Sequence, residues 1–129
     1  MPNEIHTGHC ACGAVRFKAH GKLRDVLYCH CSQCRRQTGH FLASTAVEND
    51  MLEVEGEVTW YVSSSEAKRG FCGRCGSGLF WKGAGKSYTS ILAGSFDEPS
   101  GLKASDHIYV GDKGSYYEIN DGLPQHITW

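Results

Sequence analysis

Long hydrophobic runs are missing from this chain. Its uninterrupted apolar stretches are only a few residues long, far below the roughly 20 residues a helix needs to cross a bilayer, so no membrane partner is expected. An excess of either charge is missing too, with 13 Lys and Arg against 14 Asp and Glu and a net charge of −1. The cations are scattered apart from Arg35-Arg36 and Lys68-Arg69. A nucleic-acid face, which relies on clustered cations to meet phosphates, is therefore not expected. The opening residues, MPNEIHTGHC, lack the basic start and apolar stretch of an export signal, which points to a soluble, cytoplasmic protein. Repeats, low-complexity tracts and dividing linkers are also absent. With 40% apolar residues over 129 positions, residues 1–129 can build one core and read as a single domain.

Proline is scarce, three residues against 16 glycines, and the glycines fall between short runs of strand-like pattern. AVRFKAH alternates Val15, Phe17 and Ala19 with Arg16, Lys18 and His20, the period-two signature of a strand with one buried face. DVLYC, FLASTAV, MLEVEG, EVTWYV, GLFW, SYTSILAG and HIYV follow the same style. The chain reads as mainly β. One short helix is expected, capped by Ser32, formed by Gln33 to Thr38 and ended by Gly39. Residues 97–106, DEPSGLKASD, read as a surface loop.

Seven cysteines remain to be explained. Without an export signal, and at such tight spacings, metal ligation is a better reading than disulfides. Cys10 and Cys12 in HCACG, with Cys72 and Cys75 in CGRCGSG, offer four thiolates, and a tetrahedral zinc bound by four sulfurs has no open position. Such a site is structural, joining the first hairpin to a segment 60 residues later; buried free thiols or a disulfide are the alternative. Cys29, Cys31 and Cys34, arranged C-x-C-x-x-C, can hold a second zinc and leave its fourth position for water or a ligand, as in a catalytic site. Three sulfurs make that metal a weak Lewis acid, better suited to a soft thiol than to a carbonyl oxygen. A bound thiol would be presented as a thiolate able to attack, or leave from, an electrophilic carbon. Two alternatives stay open for these three cysteines, a closed zinc site completed by His30 or His40 and a metal-free redox cluster.

Around them, His30 is a candidate proton carrier, or a satisfied half-buried histidine. Arg35 and Arg36 can pair with substrate carboxylates through guanidinium forks, or simply face solvent. Arg69 and Ser64 can also be drawn toward a pocket, though surface charge and turn hydroxyl are the simpler readings.

Taken in order, HCACGAVRF, CHCSQCRRQTG, VTWYVSSSEAKRGFCGRCGSGLFW, SILAGSFDEPSG, HIYV and INDGLPQ resemble the glutathione-dependent formaldehyde-activating enzyme family, whose domain is shared with centromere protein V. The resemblance implies a β-tent fold of antiparallel sheets with zinc-binding loops. It implies structural zinc at Cys10, Cys12, Cys72 and Cys75, and catalytic zinc at Cys29, Cys31 and Cys34. It also implies a carbon–sulfur lyase or synthase that condenses formaldehyde with glutathione to S-hydroxymethylglutathione, with glutathione or a similar small thiol as its partner. One departure lies near the end, in KGSYYEINDGLPQH, where Tyr116 stands in place of a tryptophan that follows proline in many members. A non-enzymatic zinc module with both sites closed, and a thiol redox sensor, are the rival functions.

Overall fold

The computed structural model describes residues 4–129; Met1, Pro2 and Asn3, the start of the stretch read for an export signal, lie outside the described residues. Ten strands and one α-helix are present among them, in the order β1 (Ile5–His9), β2 (Arg16–His20), β3 (Val26–Cys29), α1 (Ser32–Thr38), β4 (Leu42–Glu48), β5 (Leu52–Glu55), β6 (Val58–Ser64), β7 (Ala67–Cys72), β8 (Gly78–Gly83), β9 (Tyr88–Leu92) and β10 (Ala104–Ile108). They form a three-stranded sheet, β1-β2-β5, and a seven-stranded sheet, β10-β3-β4-β9-β8-β7-β6. The protein is mainly β, as its alternating runs predict. All pairings are antiparallel except β10 with β3, which run parallel, a departure from the expected all-antiparallel sheets. The parallel pairing follows from the long route between the two strands, since only adjacent strands joined by a tight turn are forced to run antiparallel.

The buried face of β2 carries Phe17 and Ala19, and these meet Leu79, Phe80 and Ile91 from the large sheet and Phe96 from the turn after β9 in one core. Phe17 stands edge-on to Phe80 and Phe96, at centroid separations of 5.7 and 5.1 Å, a geometry that adds about 0.5–1.5 kcal/mol per pair beyond area burial. Gly8 in β1 has no side chain because the Phe17 ring and the Ser95 carbonyl occupy the place of a Cβ. At that point β1 bridges Phe96, and the Thr7 hydroxyl donates to Asp97 at 2.6 Å. These contacts tie the small sheet to the large one.

Two strands, β1 and β7, do not show in the hydrophobic pattern. The run HIYV is strand only at His107 and Ile108, since Val110–Asp112 form a 3-10 turn. The expected loop 97–106 yields its last residues, Ala104 to Asp106, to β10. The helix is where it is expected, but its cap is Cys31 and not Ser32: the Cys31 sulfur accepts from the Cys34 N–H. Gly39 ends the helix in the left-handed conformation, φ 83°, as expected. Among the described residues no helix is long and apolar enough to cross a membrane.

Candidate metal centres

The first cysteine pair lies in the turn from β1 to β2. The Cys10 N–H donates to the Val15 carbonyl (3.0 Å) and the Gly13 N–H to the Cys10 carbonyl (3.1 Å), which curls the loop so that the Val15 N–H points at Cys10 Sγ, 3.3 Å away. The second pair lies in the turn from β7 to β8 and is built the same way, with the Gly76 N–H on the Cys72 carbonyl (2.7 Å) and the Cys75 N–H on Cys72 Sγ (3.4 Å). Backbone N–H groups aimed at sulfur favour the thiolate.

The four sulfurs of Cys10, Cys12, Cys72 and Cys75 lie within 4.8 Å of one another. The Cys10–Cys12 and Cys12–Cys72 separations are 3.7 and 3.8 Å. A tetrahedral zinc with bonds of about 2.3 Å places its sulfurs about 3.8 Å apart, so this donor set fits zinc and is far too open for a disulfide. All seven cysteines are free thiols. Cys10 and Cys72 are buried in the core and Cys12 and Cys75 face outward. Ser77 is a supporting residue that sequence reasoning missed: its hydroxyl accepts from the Ala11 N–H at 2.9 Å and lies 3.2 Å from Cys75 Sγ. The Ser77 hydroxyl and then backbone N–H groups pull the Cys75 thiol down to about 5. Only its place two residues after a ligand could have signalled this.

The second cluster comes from one six-residue run. Cys29 ends β3, Cys31 caps α1, and Cys34 lies buried on the first turn of α1. Their sulfurs also lie within 4.8 Å of one another, and no histidine or carboxylate joins the group among the described residues. Cys31 is pulled down to about 2, first by the Cys29 and Cys34 thiols that share protons with it and then by backbone N–H groups of Cys34 and Gln33. Cys29 is pushed up by the Cys31 and Cys34 sulfurs and then by burial.

The histidines raised as a fourth ligand are engaged elsewhere. His40 Nδ1 pairs with the Tyr116 hydroxyl at 2.6 Å. His30 is 1% exposed, with Nδ1 on the Tyr117 hydroxyl and Nε2 on His107 Nδ1 at 2.8 Å. His107 Nε2 in turn meets the Asp121 carboxylate at 2.7 Å. A carboxylate only accepts, so His107 Nε2 donates to Asp121; with both imidazoles neutral, His30 then donates to His107 and Tyr117 to His30. Burial first, then the nearby charges of His107, His40 and Lys113, hold the His30 imidazole down to about 4, so it is neutral at physiological pH. His107 and Asp121 lie in the runs HIYV and INDGLPQ, but nothing in those runs marks them as members of a network with His30, which they and Tyr117 join across separations of 14 to 87 residues. Tyr116, singled out from the sequence, is 61% exposed; the half-buried residue that reaches His30 is its neighbour Tyr117.

Arg35 is partly buried on α1, its Nε buried without a hydrogen-bond partner, and its charge is felt at Tyr117. Arg36 is exposed. Ser64 is the turn hydroxyl it was read as, accepting from the Glu66 N–H at 3.1 Å. Arg69 departs from its simpler reading as a surface charge. It is buried, and its Nη2 donates toward Cys34 Sγ at 3.7 Å. A groove of about 520 Å³ lies against the four-cysteine loop. It is lined by His9, Cys10, Thr38, Phe41, Ser77 and Asp97 among others and by none of Cys29, Cys31 and Cys34, so groove size does not mark the three-cysteine cluster.

Fold and sulfur geometry together define a mainly β protein with two cysteine groups able to hold metal, one closed by four sulfurs and one with three. The family model for the glutathione-dependent formaldehyde-activating enzyme matches residues 5–112, and the chain belongs to that family. A protein of Schizosaccharomyces pombe named as an uncharacterized lyase is 29% identical over 116 residues, covering 88% of this chain and 85% of its own. A crystallised Rhodobacter sphaeroides protein shares the fold with a TM-score of 0.62 at 21% identity, covering 93% of this chain and 98% of its own.

Proposed function

We propose that the chain, as one unit over residues 1–129, is a zinc-dependent carbon–sulfur lyase or synthase that makes or breaks a thiol adduct at Cys29, Cys31 and Cys34, with glutathione or a similar small thiol as substrate and a reducing, cytoplasmic setting. The observation that carries this reading is the set of three converging sulfurs without a fourth ligand among the described residues. Family membership and the lyase-named relative support it. Zinc held there supplies a soft Lewis acid that lowers the pKa of a thiol at its remaining position.

In the synthetic direction the thiolate sulfur forms a bond to the aldehyde carbon, the carbonyl π pair moves to oxygen, and that oxygen takes up a proton; the reverse steps release thiol and aldehyde. Proton movement falls to His30, which is neutral and already threaded between a hydroxyl and a second imidazole. Its line continues through His107 to Asp121, whose side chain is 42% exposed, so a proton can pass between the buried ring and solvent. Arg35, with an unpartnered buried Nε, and Arg36, exposed beside it, serve the carboxylates of a glutathione-like substrate.

The test is cobalt substitution. Adding glutathione should change the visible spectrum with cobalt retained after dialysis, whereas S-methylglutathione should not. Formation of S-hydroxymethylglutathione, followed by NMR, should accelerate with the zinc-loaded protein. An unchanged spectrum and rate across a panel of small thiols, with the metal retained, would sink the reading in favour of a closed binding module. Loss of metal with a new disulfide after mild oxidation would favour the redox sensor.

A further inference from the structure

Arg69 occupies an inward position of β7 at 7% exposure, where a charge is costly unless it meets an opposite one. It meets no carboxylate. Nη2 donates to the Gln33 side-chain oxygen at 3.5 Å and to Cys34 Sγ at 3.7 Å, while Nε is buried without a partner. The carboxylates that form close ion pairs among the described residues do so with histidines, Glu4, Glu53, Asp97, Asp106 and Asp121 among them. A guanidinium is thus enclosed with an amide and a sulfur. A protonated thiol answers that charge poorly, and a thiolate answers it well.

We infer that Arg69 is the built-in counter-charge of the three-cysteine site, a positioning residue that acts through Cys34 to favour metal loading and then the binding of one further thiolate. The charge count gives the direction. Three thiols are neutral together; exchanging their three protons for one dication leaves the site one charge more negative, and a thiolate in the fourth position adds another. A fixed cation against Cys34 favours both steps. At an effective dielectric of about 20, a unit charge about 5 Å away changes each equilibrium by tenfold or more. Gln33 fits the same scheme, since it holds the guanidinium with a neutral oxygen and leaves its charge for the sulfurs. The effect on metal loading stands independently; the effect on a fourth ligand rests on the thiol-adduct reading above.

The full chain tests this, with Cys31→Ser as the reference that retains only the four-cysteine site. Arg69→Gln removes the charge and Arg69→Lys keeps it. Gln33→Glu, at an exposed helix position, offers the guanidinium a carboxylate without touching β7. Chelator competition reads zinc affinity, and the sulfur-to-cobalt absorption reads the donor set. Affinity at the three-cysteine site should fall at least about tenfold in Arg69→Gln and in Gln33→Glu, and stay within about threefold of the parent in Arg69→Lys. Equal affinity and an unshifted cobalt spectrum in folded Arg69→Gln would overturn the inference. If that variant does not fold, Gln33→Glu decides alone, and parental zinc affinity there would overturn it equally. Glutathione, added to each cobalt form, separates the two layers. A charge-dependent metal affinity with no thiol response upholds Arg69 and removes the thiol-adduct reading. A thiol response with identical metal affinity in every variant does the opposite.

Discussion

The two cysteine groups share donor chemistry and differ in what they connect. Cys10, Cys12, Cys72 and Cys75 draw the β1–β2 turn of the small sheet onto the β7–β8 turn of the large one, across 60 residues, with two of the sulfurs inside the core. Cys29, Cys31 and Cys34 come from a single run and connect nothing that β3 and α1 do not already connect. A metal link between distant segments offsets a large loop-closure entropy and becomes part of the folding free energy. A metal held by one short run offsets little, which leaves its coordination free for chemistry. On the proposed reading, the sequence distance spanned by the ligands separates the structural site from the reactive one just as ligand number does.

The hardest test of this contrast is Cys72→Ser. It leaves two exposed thiols and one buried thiol of the group without their tetrahedral set, and the cooperative thermal transition should be lost or the protein recovered insoluble. A transition close to the parent's would show that the four-sulfur group does not hold the sheets together. Gly56→Ala should come next. Gly56 has φ 92°, and an added Cβ would overlap the Ala14 carbonyl in the Cys10 loop, so a cost of about 2–4 kcal/mol is expected. Zinc should be lost from the four-cysteine site before the other, as residue-resolved cobalt or cadmium NMR would show; simultaneous loss would blur the distinction.

A smaller effect is expected from Tyr117→Phe, which strips His30 Nδ1 of its donor in a buried setting and should cost about 1–3 kcal/mol. Tyr116→Phe, one residue away and exposed, should stay within about 0.5 kcal/mol. Comparing the two melting curves checks that the inward network belongs to Tyr117. Cys31→Ser should change fold stability least, about 1 kcal/mol or less, because serine still caps a helix. It should nevertheless abolish the second metal and all adduct formation. Metal content by mass spectrometry beside a thermal melt measures both, and a folded variant with full activity would remove this cluster from the reaction.

Much of this organisation is legible in the chain. The spacings of the seven cysteines sort them into four and three, because ligand geometry is local within each knuckle. Strands such as β2 and β4 announce themselves through alternation. The strands β1 and β7 do not, for a physical reason: IHTGH turns a glycine toward the Phe17 ring, and AKRGFC buries an arginine and a glycine where the pattern calls for apolar side chains. Arg69 reads as a surface charge because its partner, Cys34, lies 35 residues away. A sequence shows no reason to bury a cation until the fold supplies the anion. The His30 network escapes notice similarly, since His107, Tyr117 and Asp121 sit in a C-terminal stretch whose path over β10 is set by backbone pairing, such as the His107 N–H on the Pro124 carbonyl. The helix cap lies one position before Ser32, the residue the usual capping atoms point to, because the Cys31 sulfur accepts the Cys34 N–H at 3.3 Å.

Strand β7 holds Arg69 and, three residues later, Cys72. In synthesis the run 29–34 therefore precedes the strand that brings both the cation and one of the four closing ligands, with Cys75 following in the next turn. Until β7 docks, an ion on the early run is held by three bare sulfurs and is easily surrendered to competing cellular thiols; once it docks, one structural event seals the frame and completes the electrostatics of the reactive corner. On the proposed reading, loading of the three-cysteine site is thus coupled to completion of the frame, because Arg69 and Cys72 arrive on the same strand.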